Sequence, residues 1–393
     1  MISRNLLPVL RKAAGHYPVL TVTGPRQSGK TTLCRSAFAD KPYVTLEPLD
    51  VREYAARDPR GFLAEHQRGA VIDEVQHVPG LLSYLQAEVD ERPEPGRFVL
   101  TGSQNFALLQ RVAESLAGRT AVLHLLAPSL DELRRFDAPP TTLLETLWMG
   151  AYPRIHDRHV PADRWLADYV TTYIQRDVRS VLGVTDLSAF TGFVRLVAGR
   201  TGQVLNLSSL GGDAGVSHNT AKAWLSVLEA SFLVVRVPPW HRNLSKQITR
   251  SPKLHVLDSG LVCHLLGIRE PGQLATHPLR GAIFESWVVA EAYKARLHAG
   301  LPPDAFHFRD HRGQEVDLVL EGASRIVLTE VKSGATVQED MFVTLEKLAA
   351  LAAAKGAHQT IERRLVYGGD SEQRRSHAAV VPWSKVADVD WGV

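Results

Sequence analysis

The chain has 393 residues, 45% hydrophobic and 22% charged, with 45 Lys plus Arg against 42 Asp plus Glu and a formal charge of +3. That length exceeds what one core normally serves, so two or three domains are expected, and so small a charge excess cannot by itself imply nucleic acid. Two cysteines, Cys34 and Cys263, exclude a disulfide framework, and no run approaches the roughly 18 apolar residues of a membrane span. The N-terminus Met1-Ile2-Ser3-Arg4-Asn5-Leu6-Leu7-Pro8 has no apolar stretch followed by a small-residue cleavage site, so a soluble, cytoplasmic protein is expected.

An apolar β-branched run, Val19-Leu20-Thr21-Val22-Thr23, breaks into Gly24-Pro25-Arg26-Gln27-Ser28-Gly29-Lys30-Thr31-Thr32. This is the spacing G-x-x-x-x-G-K-[ST] between a strand and a helix. Gly24 and Gly29 permit backbone angles that let successive N–H groups turn toward a phosphate. The expected ATP-binding set is therefore Gly24, Pro25, Gln27, Ser28, Gly29, Lys30, Thr31 and Thr32. Lys30 supplies charge to the β- and γ-phosphates, Thr31 offers its hydroxyl to Mg²⁺, and the helix dipole favours the anion.

Strand–helix alternation continues through Tyr43–Leu46 to Ala70-Val71-Ile72-Asp73-Glu74. Asp73 is expected to hold magnesium and Glu74 to polarise the attacking water. A fourth strand, Arg97–Thr101, ends before Ser103, Gln104 and Asn105; Ser103 is the preferred γ-phosphate sensor, unless these residues only cap the following helix, Phe106–Leu116. Arg119 stands directly before the fifth strand, Thr120–Leu125, either as a finger for a neighbouring subunit or as a solvated surface arginine. The first domain is placed at 1–140.

From 141 to 204 the strand signal disappears and a helical lid is expected. Its long helix runs from about Ala162 to Leu182, with Trp165, Leu166, Tyr169, Val170, Tyr173 and Ile174 on one face and Arg176-Asp177 as a charge pair of open role. Residues 205–275 read as a winged helix-turn-helix, with a second helix over 217–229 and a wing at Phe232–Val237. Ser217, His218, Asn219 and Lys222 are the groove-facing candidates if the module reads DNA, as opposed to spacing proteins apart. Arg242, Lys246, Arg250 and Lys253, in a run without acids, are candidate phosphate contacts or a solvated loop. His255, Asp258, Cys263 and His264 lack the paired spacing of a zinc site.

Residues 276–393 resume alternation in the order helix, three strands, helix, strand. Asp317 lies on one strand and Glu330 and Lys332 two apart on the next, sharing a face. If the strands form a hairpin, Asp317 and Glu330 make an oxygen site for Mg²⁺ or Mn²⁺, completed by Glu285 from the preceding helix, with Lys332 orienting water. Three charges within apolar strands are costly unless they pair or bind metal.

This pattern resembles the restriction-endonuclease-like nucleases. Taken in order, the segments resemble the bacterial and archaeal family of AAA-type ATPases whose C-terminal half carries such a domain, from Gly24–Thr31 through Leu100-Thr101-Gly102-Ser103, Ser251-Pro252-Lys253 and Phe284-Glu285 to Glu315-Val316-Asp317 and Glu330-Val331-Lys332. The resemblance implies an α/β chain: a P-loop AAA-type sheet, helical lid, winged helix-turn-helix and nuclease-like domain. It further implies a homo-oligomer, since the wider ATPase class commonly forms rings; with the residues above, the leading expectation is a protein that hydrolyses ATP and acts on DNA as a Mg²⁺-dependent deoxyribonuclease. The rival expectation is a nucleotide-switched scaffold that grips DNA or protein without cutting.

Overall fold

The computed structural model describes residues 2–102, 115–178, 186–240, 251–354 and 358–392. The chain divides into two compact units: Met1–Pro128 with Ala230–Phe232 and Leu297–Leu301, and Ser129–Glu229 with Leu233–Arg296 and Pro302–Val393. Among the described residues no helix is long and apolar enough to cross a membrane.

The first unit is built on five parallel strands, β1 (Val19–Thr23), β2 (Tyr43–Thr45), β3 (Val71–Asp73), β4 (Phe98–Thr101) and β5 (Thr120–His124), in the order β2-β3-β4-β1-β5. Side chains alternate across the sheet, so successive residues enter different cores. Val19, Ile72, Phe98 and Leu100 pack on one face with Leu81, Leu82, Leu85 and Val89 of the helix Leu81–Glu91. Leu20, Val22, Val71, Val99 and Leu123 pack on the other with Leu6, Leu10 and Leu33. All five residues of β1 are buried, which explains its unbroken apolar and β-branched reading. Its two threonines are satisfied inside the sheet: Thr21 pairs with the Thr120 hydroxyl at 2.9 Å and Thr23 with His124 Nδ1 at 2.7 Å. Parallel strands in register bring the ends of β1, β3 and β4 to one edge, where such sheets bind ligands.

The second unit begins with short helices. The helix expected to reach Leu182 is α-helical only over Ala162–Tyr169 and continues as a π-helix over Val170–Val178. Thr171 and Thr172 hydroxyls donate to the carbonyls of Ala167 and Asp168, four residues back, which competes with the α-helical ladder. Two helices, Leu207–Asp213 and His218–Ala230, accompany a small sheet of β6 (Gln203–Val204), β7 (Val234–Val237) and β8 (Lys253–Val256), in the antiparallel order β6-β8-β7. The wing is shorter than expected because Phe232 has a positive φ of 53°, outside strand geometry. The segment entering Ser251-Pro252-Lys253 was expected to be loop, yet Lys253 opens β8, the central strand, and all four β8 residues are buried.

Helix Arg280–His298 precedes a six-stranded sheet of β9 (Ala305–Arg309), β10 (Glu315–Glu321), β11 (Arg325–Lys332), β12 (Thr360–Tyr367), β13 (Gln373–Arg374) and β14 (Ala379–Pro382), in the order β13-β14-β12-β11-β10-β9. Strands β9, β10 and β11 form an antiparallel meander; β12 joins β11 in parallel after the helix Val343–Ala354, and β14 extends the sheet. The β9–β10 register slips between Val316 and Val319, so both valines reach the same core despite their odd spacing. Such a bulge re-aims the residues between them, here Asp317 and Leu318.

Candidate functional site

The phosphate loop is shaped by close backbone approach. A Cβ on Gly24, whose φ is 148°, would lie 2.1 Å from the Leu125 carbonyl oxygen, so only glycine fits there. Gln27 is a non-glycine residue at φ 62°, strain of the kind that collects at binding loops. Gly29 caps the helix Lys30–Ala37. Arg4, buried, ties the loop down: Nη1 donates to the Ser28 carbonyl at 2.6 Å and Nη2 to the Leu126 carbonyl at 2.8 Å. Composition and motif reading missed Arg4, because nothing in its local sequence marks a contact 24 residues away.

Lys30 is buried, and its ammonium donates to the carbonyls of Gly24 at 3.0 Å and Pro25 at 2.7 Å. Burial lowers its pKa to about 8, against the upward pull of Glu74 and Asp73. Asp73 accepts three hydroxyls. Thr31 donates at 3.0 and 3.1 Å, Tyr43 at 2.7 Å, and Thr101 also donates to Oδ1. Tyr43 and Thr101 were not singled out from sequence, although Thr101 ends the strand whose Leu100 pairs with Ile72, one residue before Asp73. Glu74 follows with φ 56°, and the Gln76 amide donates to it. The donor set fits a nucleotide with Mg²⁺: hard oxygens at Thr31 and Asp73, a buried ammonium, and a buried Ser28 hydroxyl without a hydrogen-bond partner. Pro25 is buried, while Gln27 and Thr32 are exposed.

Arg119 lies elsewhere. Thr120 pairs with Val19 at the start of β1, whereas the phosphate loop follows the end of β1. Its guanidinium donates to Asp90 at 2.5 and 2.8 Å. Ser103, Gln104 and Asn105, the helix Phe106–Leu116 apart from its last residues, and the side chains of Arg176 and Asp177 lie outside the described residues.

In the second unit, β8, β10, β11 and the helix Arg280–His298 bring a second polar group together. Glu285, Glu315 and Asp317 each offer an oxygen within 4.8 Å of the others. The Lys253 ammonium sits among them, donating to Glu285 at 2.7 Å, to Asp317 at 3.2 Å, and to Glu315. The other Asp317 oxygen accepts the Val331 N–H at 2.9 Å. Glu330 accepts from Lys332 at 2.5 Å through Oε1, while its buried Oε2 has no hydrogen-bond partner. Burial first, then repulsion from Asp317, raises the pKa of Glu285 and of Glu330. Burial would lower Lys253, but Asp317, Glu285 and Glu315 together raise it. His255 is fully buried and held neutral by burial and the Lys253 charge.

The group differs from the expected one in two members. Lys253 was expected among solvent-facing phosphate contacts; its side chain is 2% exposed because β8 directs it into the carboxylates, so it cannot touch a DNA backbone from here. Glu315 takes the place beside Asp317 and Glu285 that was given to Glu330. The Glu-x-Asp spacing within one strand was the available signal, since residues two apart share a face. Arg242, Lys246 and Arg250 lie outside the described residues. Ser217, His218, Asn219 and Lys222 are exposed at and just before the start of the helix His218–Ala230, whose Ala221, Trp224, Leu225 and Leu228 are buried. Asp258 caps the helix Ser259–Leu265 through the Leu261 N–H and accepts the Ala151 N–H, a structural use.

A family described as an AAA domain matches residues 16–134, and two domains of unknown function, DUF8612 and DUF4143, match residues 140–272 and 280–386. The uncharacterized proteins Rv2008c of Mycobacterium tuberculosis and Mb2031c of Mycobacterium bovis are each 32% identical over 345 residues, covering 85% of this chain and 74% of theirs. Among solved structures, the Walker-type ATPase PABY2304 of Pyrococcus abyssi is similar over 66% of this chain and 94% of its own, at 13% identity and a TM-score of 0.41.

Proposed function

This chain belongs to the family of the mycobacterial proteins Rv2008c and Mb2031c and carries an AAA domain, and we propose that it binds and hydrolyses ATP with Mg²⁺ and acts on DNA through a metal-dependent nuclease-like C-terminal domain. The observation that carries the ATPase half is the convergence of Lys30, Thr31 and Asp73 at the carboxyl edge of a parallel sheet. Lys30 would leave the Gly24 and Pro25 carbonyls for the β- and γ-phosphates, Thr31 and Asp73 would hold Mg²⁺, and Glu74 would accept the proton of the attacking water. The metal supplies charge neutralisation across the phosphates. Arg119 serves a neighbouring subunit in a homo-oligomeric ring in this reading, after giving up Asp90.

The nuclease half rests on the carboxylates gathered by β10 and one helix, where Glu285, Glu315 and Asp317 would hold Mg²⁺ or Mn²⁺, with Glu330 of β11 as a further oxygen ligand and Lys332 orienting water. The exposed N-terminal residues of the helix His218–Ala230 and the run with Arg242, Lys246 and Arg250 are its DNA contacts. One observation favours a second reading, a nucleotide-switched scaffold: the Lys253 ammonium already neutralises the carboxylates from inside.

The test is cleavage of linear, circular and single-stranded DNA with Mg²⁺ or Mn²⁺, with and without ATP, by wild type, Glu330→Ala and Lys30→Ala. Cleavage lost in Glu330→Ala supports the nuclease, and its response to Lys30→Ala reports ATP control. Intact substrates throughout, with ATP still hydrolysed, favour the scaffold.

A further inference from the structure

We infer that Lys253 is the resident cation of the Glu285–Glu315–Asp317 cluster, and that a hard divalent cation enters the cluster only in exchange for its ammonium. The inference rests on reading the cluster as a cation site, and adds what keeps that site filled.

An ammonium has three N–H donors, and here each meets a different carboxylate. The side chain is 2% exposed, so bulk solvent hardly reaches that charge. Its backbone is fixed on both sides: Lys253 pairs with Val204 of β6 and with Val237 of β7. Only the four-carbon stem is free to move the charge.

Two further observations show that the lysine leaves the surroundings unsatisfied. The Glu330 Oε2 atom is buried without a hydrogen-bond partner. His255 Nε2, fully buried, also lacks one and faces Glu285 Oε1 at 3.9 Å, the oxygen that Lys253 engages. A monovalent ammonium thus occupies a place with acceptors to spare. The atoms that the ammonium engages are all carboxylate oxygens, which favour Mg²⁺ or Mn²⁺ over softer ions. A divalent ion and the ammonium repel each other within one such cluster, so they alternate.

The experiment uses full-length, nucleotide-free protein and Mn²⁺, with free Mn²⁺ read by electron paramagnetic resonance, for wild type, Lys253→Met, Asp317→Asn and the double variant. The expected result is at least tenfold tighter binding of one Mn²⁺ in Lys253→Met than in wild type, and loss of that gain in the double variant. Wild type binding Mn²⁺ at an Asp317-dependent site as tightly as Lys253→Met overturns the exchange, as does Lys253→Met gaining nothing. Should Lys253→Met fail to fold, reductive dimethylation of wild type read by mass spectrometry decides: Lys253 is expected to be protected without metal and labelled at saturating Mn²⁺. Equal labelling in both conditions overturns the inference. DNA cleavage enters neither readout. Exchange in a protein that cuts no DNA leaves the inference standing and removes the nuclease; cleavage with tight wild-type Mn²⁺ binding does the reverse.

Discussion

Two buried lysines show how differently the two units treat a positive charge. Lys30 donates to two carbonyls, and burial lowers its pKa to about 8. Lys253 donates to three carboxylates, which raise its pKa despite burial. A lysine whose hydrogen bonds go only to neutral carbonyls stays available to an incoming anion. A lysine locked among carboxylates has spent that attraction inside the fold, and its removal exposes an anion hole. The first arrangement suits a phosphate, the second a competing cation.

The largest expected break in this comparison is Lys253→Ala. It leaves buried Asp317 and half-buried Glu285 and Glu315 without their shared cation, and removal of one side of a buried ionic network costs about 3–5 kcal/mol. A lowered urea midpoint for the second unit, partly restored by Mn²⁺, is the expected result. Lys30→Ala removes a charge that no carboxylate engages directly, so unfolding is expected to change much less. Its effect falls on function, with nucleotide affinity reduced about 10- to 100-fold, as expected for losing one charge-assisted contact of roughly 1.5–3 kcal/mol, and ATP turnover lost. Equal destabilisation by the two alanines would erase the distinction between the lysines.

Arg4→Ala is the next test, because it removes the clamp between the Ser28 and Leu126 carbonyls without touching the nucleotide set. Two buried acceptors lose their donor, at about 1–3 kcal/mol. A several-fold weaker ATP affinity with a lower melting temperature is expected by calorimetry. Unchanged affinity would show that the loop holds its shape unaided.

The pH dependence of Lys30 sharpens the contrast further. Phosphate favours the ammonium, so ATP affinity is expected to fall as pH rises from 7 to 9, through the free-protein pKa of about 8. Stability runs the other way. Between about 8 in the folded chain and 10.5 in the unfolded chain, the unfolded state binds more protons, so this residue adds stability to the first unit as pH rises. Titration of ATP affinity in Lys30→Arg, which keeps its charge throughout, is expected to remove the slope.

How legible each site was follows from how local its signals are. The phosphate loop, Asp73 and the β1 core were readable because spacing and strand context lie within one short stretch. Two-residue alternation placed Glu330 and Lys332 on one face, an assumed hairpin brought in Asp317 and the preceding helix Glu285, while Glu315 carried the same alternation signal through its spacing to Asp317. Lys253 was misread because its neighbours in sequence are basic, whereas its neighbours in space are Glu285, Glu315 and Asp317, up to 64 residues away. Arg4 and Tyr43 act across 24 and 30 residues, through partners that no local pattern names. The π-helix over Val170–Val178 was hidden because its apolar spacing differs little from an α-helix over so short a span.

The smallest effect expected is that of Tyr43→Phe. Tyr43 donates to Asp73 Oδ2 at 2.7 Å, beside the Thr31 and Thr101 hydroxyls, and Arg35 stacks 4.5 Å from the centre of its ring. Removing the hydroxyl keeps the ring and that stack, so the change isolates one hydrogen bond of about 1 kcal/mol. Asp73 keeps two hydroxyl donors, which limits the reorientation. A few-fold rise in the Mg²⁺ concentration needed for half-maximal ATP turnover, with nucleotide affinity in the absence of metal unchanged, is the expected signature. If both constants move together, Tyr43 supports the sheet edge as a whole. If only the Mg²⁺ requirement moves, Tyr43 orients Asp73, and the nucleotide site then depends on a carboxylate aimed by neutral donors where the second unit uses a buried ammonium.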